Sequence, residues 1–294
     1  MNILVLGGSY FLGRCFVNMA CNDNNIYVFN RGNCPIDMPE VTQIKGDRHN
    51  ISDLFKLSKY EIDVIVDFCA YNKDDINSVI KALKVMPKQY IFVSTVDVYE
   101  RGKGEALSEN ASFETRDFGG DVGAYITGKV ILEKEIKEAA AAYGFTYTVM
   151  RPAFIYGPGN YAPRESIYFN WIKKAGQVLH PIDATGEFQL VYVTDVARAI
   201  CASLGNEEAY NEAFNLTGEK VENYNSFADT LSKIVNTDFE RVDVTVDVVN
   251  EKQISLPFPL TREQSNWYKG EKALKLIGRY TSFEEGLRET YIYF

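Results

Sequence analysis

The chain has 294 residues, 46% of them hydrophobic, with 31 basic against 40 acidic side chains and a net charge of −9. That length can bury a sizeable core, and the acidic balance opposes non-specific binding to nucleic acid or an anionic membrane surface. Five scattered cysteines without a C-x-x-C pair, and only two histidines, His49 and His180, argue against a disulfide framework, a metal centre or a Ser-His-Asp relay.

The chain opens MNILVLGGSYFLG. Its apolar start meets glycine too early for a secretory signal, and no later run approaches the roughly 18 apolar residues of a membrane span, so a cytoplasmic protein with no membrane partner is expected. ILVL (3 to 6) reads as a first strand, followed by a turn with Gly7, Gly8 and Gly13 and a helix over 11 to 21. Small residues between strand and helix let backbone approach a pyrophosphate lying at the positive helix end. The alternative is a tight turn that holds no ligand. Its place at the head of a βαβ unit favours a nucleotide, with Gly7, Gly8, Ser9, Tyr10, Phe11, Leu12 and Gly13 around it. Tyr10 stands where a third glycine belongs, and its ring is expected along the cofactor's outer edge, near Arg31.

The second strand, IYVF (26 to 29), ends in Asn30 and Arg31, where an acidic residue would pair with the ribose 2′-hydroxyl of NAD. That carboxylate is missing and Arg31 can fork a 2′-phosphate, so NADP(H) is slightly favoured over NAD(H). An exposed loop arginine is the alternative. Further strands follow at VTQI (41 to 44), DVIVDF (63 to 68), YIFVS (90 to 94) and YTVM (147 to 150), with helices over 73 to 84 and 123 to 143. Nearly continuous apolar strands alternating with helices imply a parallel sheet covered on both faces, an α/β, Rossmann-like doubly wound fold. We assign residues 1–150 to a dinucleotide-binding domain. Residues 151–294, with helices at 166 to 176, 195 to 204, 224 to 235 and 283 to 291, form mainly a smaller C-terminal substrate lobe, interleaved with the sheet.

Tyr125 and Lys129, in AYITGK, lie four apart on one helical face. An ammonium beside a phenol lowers a pKa that is otherwise about 10, which suits acid-base work near neutral pH. In a chain with 19 tyrosines such a spacing arises readily by chance. Its weight comes from Ser94 and Thr95, at the carboxyl end of a strand, where hydroxyls can meet a substrate oxygen.

The ordered set GGSYFLG, GDR, FVSTVDVY, YITGK, RPAFIYGPG and VYVTDVA resembles the short-chain dehydrogenase/reductase superfamily, in its extended or atypical branch of NAD(P)-dependent epimerase/dehydratase-like proteins. The resemblance spans nearly the whole chain. It implies Tyr125 as acid/base, Lys129 as its partner and a ribose ligand, and Thr95 at the substrate-hydroxyl position. It also implies Asp47 as an adenine contact with Arg48 beside it, and a cofactor path past Cys69, Ala70, Tyr71, Ser94 and Pro152.

The pattern breaks at three positions. The family's dehydratases place an aspartate directly after the threonine, whereas here Val96 carries no proton. Asp97, one residue on, is expected to turn to the opposite face if the strand continues, as a turn or capping residue. Dehydration is therefore disfavoured. Phe154 replaces an asparagine, and Phe188, beside Gln189, falls nearest to an arginine that would hold a substrate diphosphate. Lys173, Lys174 or Arg164 are candidates to compensate, against a plain solvated surface. Tyr156, Tyr161, Tyr168, Phe169 and Trp171 are candidates for an aromatic pocket, against simple lobe packing.

The expected function is an NAD(P)-dependent oxidoreductase or epimerase of a sugar-like or other secondary alcohol or ketone, with a small-molecule substrate bound by Thr95, Asp97, Tyr125, Phe154 and Phe188. The loop, FNRG and GDR are also similar to the atypical branch that includes chloroplast stem-loop RNA-binding proteins. A non-catalytic nucleotide- or RNA-binding protein, or a sensor of the NADP(H) ratio, is thus the alternative, with charge weighing against nucleic acid. A homodimer through the Tyr125 helix is the expected assembly.

Overall fold

The computed structural model describes residues 1–102 and 104–294. β1 (Asn2–Leu6) leads through the glycine turn into α1 (Phe11–Ala20), β2 (Asn25–Asn30), β3 (Val41–Lys45), the short α2 (Ile51–Leu54), β4 (Val64–Asp67), α3 (Asp75–Ala82) and β5 (Gln89–Val93). A loop with the two-residue β6 (Ala106–Leu107) reaches the long α4 (Gly120–Tyr143), which returns into β7 (Thr146–Pro152). Then come β8 (Phe154–Tyr156), α5 (Glu165–Ala175), β9 (Gln177–Pro181), β10 (Glu187–Tyr192), α6 (Val193–Ser203), β11 (Glu212–Leu216), β12 (Val221–Asn223) and α7 (Tyr224–Ile234). β13 (Glu240–Val244), α8 (Val246–Glu251), β14 (Trp267–Tyr268), α9 (Glu271–Ile277) and α10 (Phe283–Tyr293) complete the chain.

Seven parallel strands form the central sheet in the order β11-β7-β5-β4-β1-β2-β3. This is the doubly wound order, whose ligand crevice lies at the strands' carboxyl ends beside the first strand. Register sets that edge: Leu6 is level with Phe29 and Asp67, Asp67 with Phe92, and Phe92 with Val149. The residues that follow each strand therefore open together.

Alternate strand residues face two cores. Ile3, Val5, Val28, Val66 and Ile91 pack with Phe16 and Val17 of α1 and with Val196, Ala197 and Ile200 of α6. Leu4, Leu6, Ile65, Tyr90 and Phe92 pack with Ile76, Val79 and Ile80 of α3 and with Leu132 and Ile136 of α4. Burial on both faces accounts for the nearly unbroken apolar strands.

The α/β doubly wound fold is as expected, and the six strands and three helices read in the first half fall within about two residues of the observed ones at most ends. The seventh strand differs. β11, EAFNL, pairs parallel with β7 from well past residue 150, and α6 packs on α1, so the two halves of the sequence share one sheet. The lobe is built from the three strands β12, β10 and β8, the pair β13 and β9, and α5, α7 and α10. Among the described residues no helix is long and apolar enough to cross a membrane.

Candidate functional site

A cleft of about 750 Å³ brings together the glycine turn (residues 7 to 13), Phe68, Cys69 and Tyr71 after β4, Ser94, Thr95 and Asp97 after β5, Tyr125 and Lys129 of α4, and Pro152 and Phe154 around β7 and β8. From the lobe it gains Tyr161, Arg164, Phe188, Gln189 and Tyr268.

Gly7 and Gly8 hold φ of +100° and +71°, and a Cβ on Gly13 would stand 2.7 Å from the Gly8 Cα, so α1 starts hard against the turn. Phe11 holds φ +40°, a strained value for a bulky residue and one that persists where surrounding structure enforces it. Tyr10 departs from expectation. Its ring lies 5.8 Å from that of Tyr161, and Phe11 meets the same ring at 6.0 Å. Tyr10 thus reaches towards the lobe, while Arg31 is not among the residues that line the cleft with it.

At the end of β2 the Asn30 side-chain oxygen accepts from Gly32 N at 2.8 Å and Gln43 Nε2 at 2.9 Å. Its Nδ2 is buried without a hydrogen-bond partner among the described residues. Arg31 is exposed and, like Asp47, stands outside the cleft wall. Asp47 closes a local turn by accepting from His49 N at 2.9 Å.

Arg48 corrects the sequence reading. Its guanidinium turns inward and donates to both Asp67 oxygens, at 2.9 and 3.0 Å, and to the Asp75 carbonyl at 2.9 Å. Asp67 is fully buried and also accepts from Tyr90 Oη at 2.6 Å. The pair supports the floor below Cys69, whose Sγ lies 3.4 Å from Arg48 Nη1 and whose thiol is pushed up to about 11 by burial and then by Asp67. Ala70 is wholly buried and offers only its carbonyl, to Lys129.

Tyr125 is 38% exposed, while Lys129 is buried and donates to the Ala70 carbonyl at 3.0 Å and the Val93 carbonyl at 2.8 Å. The ammonium sits 4.7 Å from the Tyr71 ring centroid and 5.8 Å from that of Tyr125. Burial lowers the Lys129 pKa to about 8, against the opposing pull of Asp67. The expected depression of Tyr125 is reversed: desolvation, then the Asp97 charge and Tyr71, hold its phenol above the ordinary tyrosine value. A hydrogen bond with Thr95 acts the other way.

Asp97 is brought round by a change of backbone. After Thr95 the strand gives way to a 3₁₀ turn over Val96–Val98, capped by Thr95 Oγ1 accepting from Asp97 N at 3.2 Å. Strand alternation lapses there, so the Asp97 carboxylate lines the cleft with Oδ2 3.3 Å from Thr95 Oγ1. Ser94 also lines the cleft, but its hydroxyl is committed to Glu133 Oε1 at 2.7 Å.

That bond joins a network which the sequence did not reveal. Arg151, 1% exposed, donates Nε to Glu133 Oε1 at 2.9 Å and Nη1 to Tyr99 Oη at 2.6 Å, and Tyr99 donates to Asn215 Oδ1 at 2.6 Å. It ties α4 to β5, β7 and β11. Gly128 completes the fit, since any Cβ there would collide with the Tyr71 carbonyl. Together these contacts fix the helix that presents Tyr125 and Lys129 to Thr95.

Of the other candidates, Phe188 is buried and stacks on Phe258 with centroids 4.1 Å apart, and Phe154 meets the same ring at 5.9 Å. Tyr156, Tyr168 and Phe169 are core residues, whereas Tyr161 alone of the suggested aromatic group lines the cleft. Arg164 lines it too; Lys173 and Lys174 are exposed on α5. Arg101, Gln264, Asn266 and Tyr268 were not foreseen, because they come from loops and short elements whose path depends on the whole fold.

A dinucleotide fits these residues on two counts: the glycine turn, packed hard against the start of α1, lines the cleft over residues 7 to 13, and Asn30 keeps a buried donor in need of an acceptor. A seven-stranded doubly wound sheet headed by this turn defines the extended short-chain dehydrogenase/reductase class. The model of the NAD dependent epimerase/dehydratase family matches residues 3–217, and the chain belongs to that family of NAD-dependent enzymes.

A curated relative, the chloroplast stem-loop binding protein of 41 kDa b of Arabidopsis thaliana, is 28% identical over 316 residues, covering 98% of this chain and 78% of the relative. Among solved structures, the UDP-N-acetylglucosamine 4-epimerase of Methanobrevibacter ruminantium M1, in complex with UDP-N-acetylmuramic acid, has a TM-score of 0.81 at 20% identity, covering 99% of this chain and 97% of that one. The UDP-glucuronic acid 4-epimerase of Bacillus cereus, with UDP-glucuronic acid and NAD, has a TM-score of 0.79 at 18% identity, covering 100% and 98%. At such identities the likeness is one of fold.

Proposed function

We propose that the chain is an NAD(P)-dependent epimerase or oxidoreductase of a sugar-like secondary alcohol or ketone, in which Tyr125, Thr95 and Lys129 carry the chemistry. The observation that supports this most is one cleft lined by the glycine turn together with Tyr125, Lys129 and Thr95. Gly7 to Gly13, Asn30, Pro152 and Lys129 hold the cofactor in this reading, and bound there the nicotinamide ring supplies a reversible hydride acceptor.

Tyr125 takes the hydroxyl proton as the alcohol is oxidised and returns it on reduction. Thr95 holds the same oxygen. The raised phenol pKa keeps Tyr125 protonated at neutral pH, ready to supply the proton in ketone reduction, and the Lys129 ammonium, 5.8 Å from the Tyr125 ring centroid, supports the phenolate in the oxidising direction. Lys129 uses two of its N–H groups on carbonyls and keeps the third for a ribose hydroxyl. Val96 supplies no proton, and the Asp97 carboxylate that does reach the cleft is ion-paired with Arg101 at 3.0 Å, which supports epimerisation or net redox over dehydration.

The test is direct: the protein, supplied with NAD(P)+ and a panel of UDP-sugars and free sugars, should give nicotinamide reduction or interconversion of epimers. Failure across the panel with cofactor bound would count against this reading. Asn30 and Arg31 in place of an acidic residue support NADP(H) as the preferred form. Equal or tighter binding of NADH than NADPH would remove that preference.

The relative named as a stem-loop binding protein favours a second reading, binding of structured RNA. The overall charge of −9 opposes it. Retention of a stem-loop RNA in a mobility-shift assay at physiological salt would establish it.

A further inference from the structure

Thr95 carries a single hydroxyl proton and two lone pairs. One lone pair is taken, since Oγ1 accepts from Asp97 N at 3.2 Å and caps the 3₁₀ turn. The hydroxyl in turn donates to Asp97 Oδ2 at 3.3 Å. The other carboxylate oxygen, Oδ1, accepts from Arg101 Nη2 at 3.0 Å, so the two oxygens of Asp97 are divided between Thr95 and Arg101. The ion pair is single-pronged, and Arg101 Nε is buried without a hydrogen-bond partner among the described residues. Arg101 is itself anchored: its backbone N–H donates to Glu114 Oε2 at 3.3 Å, and its guanidinium lies 5.2 Å from the Phe118 ring centroid.

Thr95, Asp97 and Arg101 line the same cleft as Tyr125. The groups that face the Tyr125 phenol are Tyr71 after β4, with ring centroids 6.2 Å apart, Tyr161 of the lobe, Lys129 on the same helix, and Asp97. Only Asp97 among them carries a carboxylate. Asp97 is faced in turn by Arg101 and, from the lobe, by Arg164 and Tyr268. Burial and then the Asp97 charge hold the Tyr268 phenol above its ordinary value, as they do at Tyr125. One carboxylate is thus felt by phenols from both the sheet side and the lobe side of the cleft.

We propose that Asp97 is a positioning residue that draws the Thr95 hydroxyl proton away from Tyr125 and from the substrate oxygen, and that Arg101 is the counter-charge that limits the draw. A threonine whose proton is engaged by a carboxylate has none left to give to a phenolate or a ketone oxygen. Tyr125 then keeps its own proton more firmly, because the Asp97 charge and the loss of the Thr95 donor both disfavour the phenolate. Arg101 opposes both effects. This role rests on the reading of Tyr125 as the reacting group of the cleft, and it sets the pH at which that group changes from proton donor to proton acceptor.

Fluorine NMR of the protein carrying a difluorotyrosine at position 125 tests it without cofactor or substrate, since the fluorines make the phenol acidic enough to titrate at moderate pH. Asp97→Asn should lower the midpoint of that titration by about one pH unit, and Arg101→Gln should raise it by less. The effect of Asp97→Asn should shrink in a Thr95→Val protein, which has no hydroxyl proton to draw, and be kept in Thr95→Ser. With the substrate that the sugar panel identifies, the rise of alcohol oxidation with pH should move in the same directions. An unmoved midpoint in Asp97→Asn, movement of Asp97→Asn and Arg101→Gln in the same direction, or an Asp97→Asn effect as large in Thr95→Val as in the wild type would overturn the role. The expected shifts in a protein that turns over none of the panel sugars would keep the Asp97–Arg101 couple and overturn the reading of the reaction.

Discussion

Tyr10 and Tyr161 lie 151 residues apart in the chain and meet ring to ring where the glycine turn faces the lobe. An aromatic pair of this kind contributes about 0.5–1.5 kcal/mol beyond its buried area. Removing either ring by alanine should therefore speed NAD(P)H dissociation by roughly 2- to 12-fold in stopped-flow fluorescence, and an unchanged rate in both variants would leave the pair as surface packing. At Lys129 the prediction concerns pH. Burial lowers this lysine to about 8, so its charge is present below that pH and lost above it. Alcohol oxidation rises with pH as Tyr125 gives up its proton, and the loss of the Lys129 charge near pH 8 should check that rise. Lys129→Met should abolish the inflection. The Tyr-Lys spacing was legible in the sequence, but the shift at Tyr125 was not, because it comes first from burial in the assembled cleft and then from the charge of Asp97, which depends on a 3₁₀ turn that ends the strand early.

Helix α4 carries Tyr125, Lys129 and Glu133 at successive four-residue steps, one stripe from the cleft into the interior. The run ILEKEIKEAAAA announces a helix but suggests charged residues in solvent. Two of its glutamates are buried instead: Glu133 grips Arg151, and Glu135 accepts from Asp74 N at 2.8 Å and Asn77 N at 2.9 Å at the start of α3. No periodicity marks a buried charge whose partner is distant in sequence. Glu133→Gln leaves Arg151 buried without its counter-charge, and should cost about 3–5 kcal/mol of stability in urea unfolding. A loss below about 1 kcal/mol would show that the network contributes little to holding the helix.

Across the whole molecule, β1, β4 and β5 could be read from sequence because burial on both faces makes them nearly continuously apolar. β11 escaped because EAFNL mixes Glu212 and Asn215 with its apolar residues, and Asn215 is buried to receive Tyr99 from across the sheet. The same limit applied to the cleft. Its sheet side was legible, since the doubly wound order sends the turn and the ends of β4 and β5 to one edge. Arg101 and Tyr268 were not, because the segments that carry them are placed by tertiary packing, whereas Arg164 was named from sequence as one of three compensating cations and the fold singles it out.

The central claim is that Tyr125 transfers the proton in a nicotinamide-dependent reaction. Single-turnover change in nicotinamide absorbance, compared between the wild type and Tyr125→Phe with the substrate that the panel identifies, tests it most directly. Tyr125→Phe should lower the rate about 10²–10⁴-fold, with NAD(P)H affinity unchanged. Equal rates in the two proteins would contradict it.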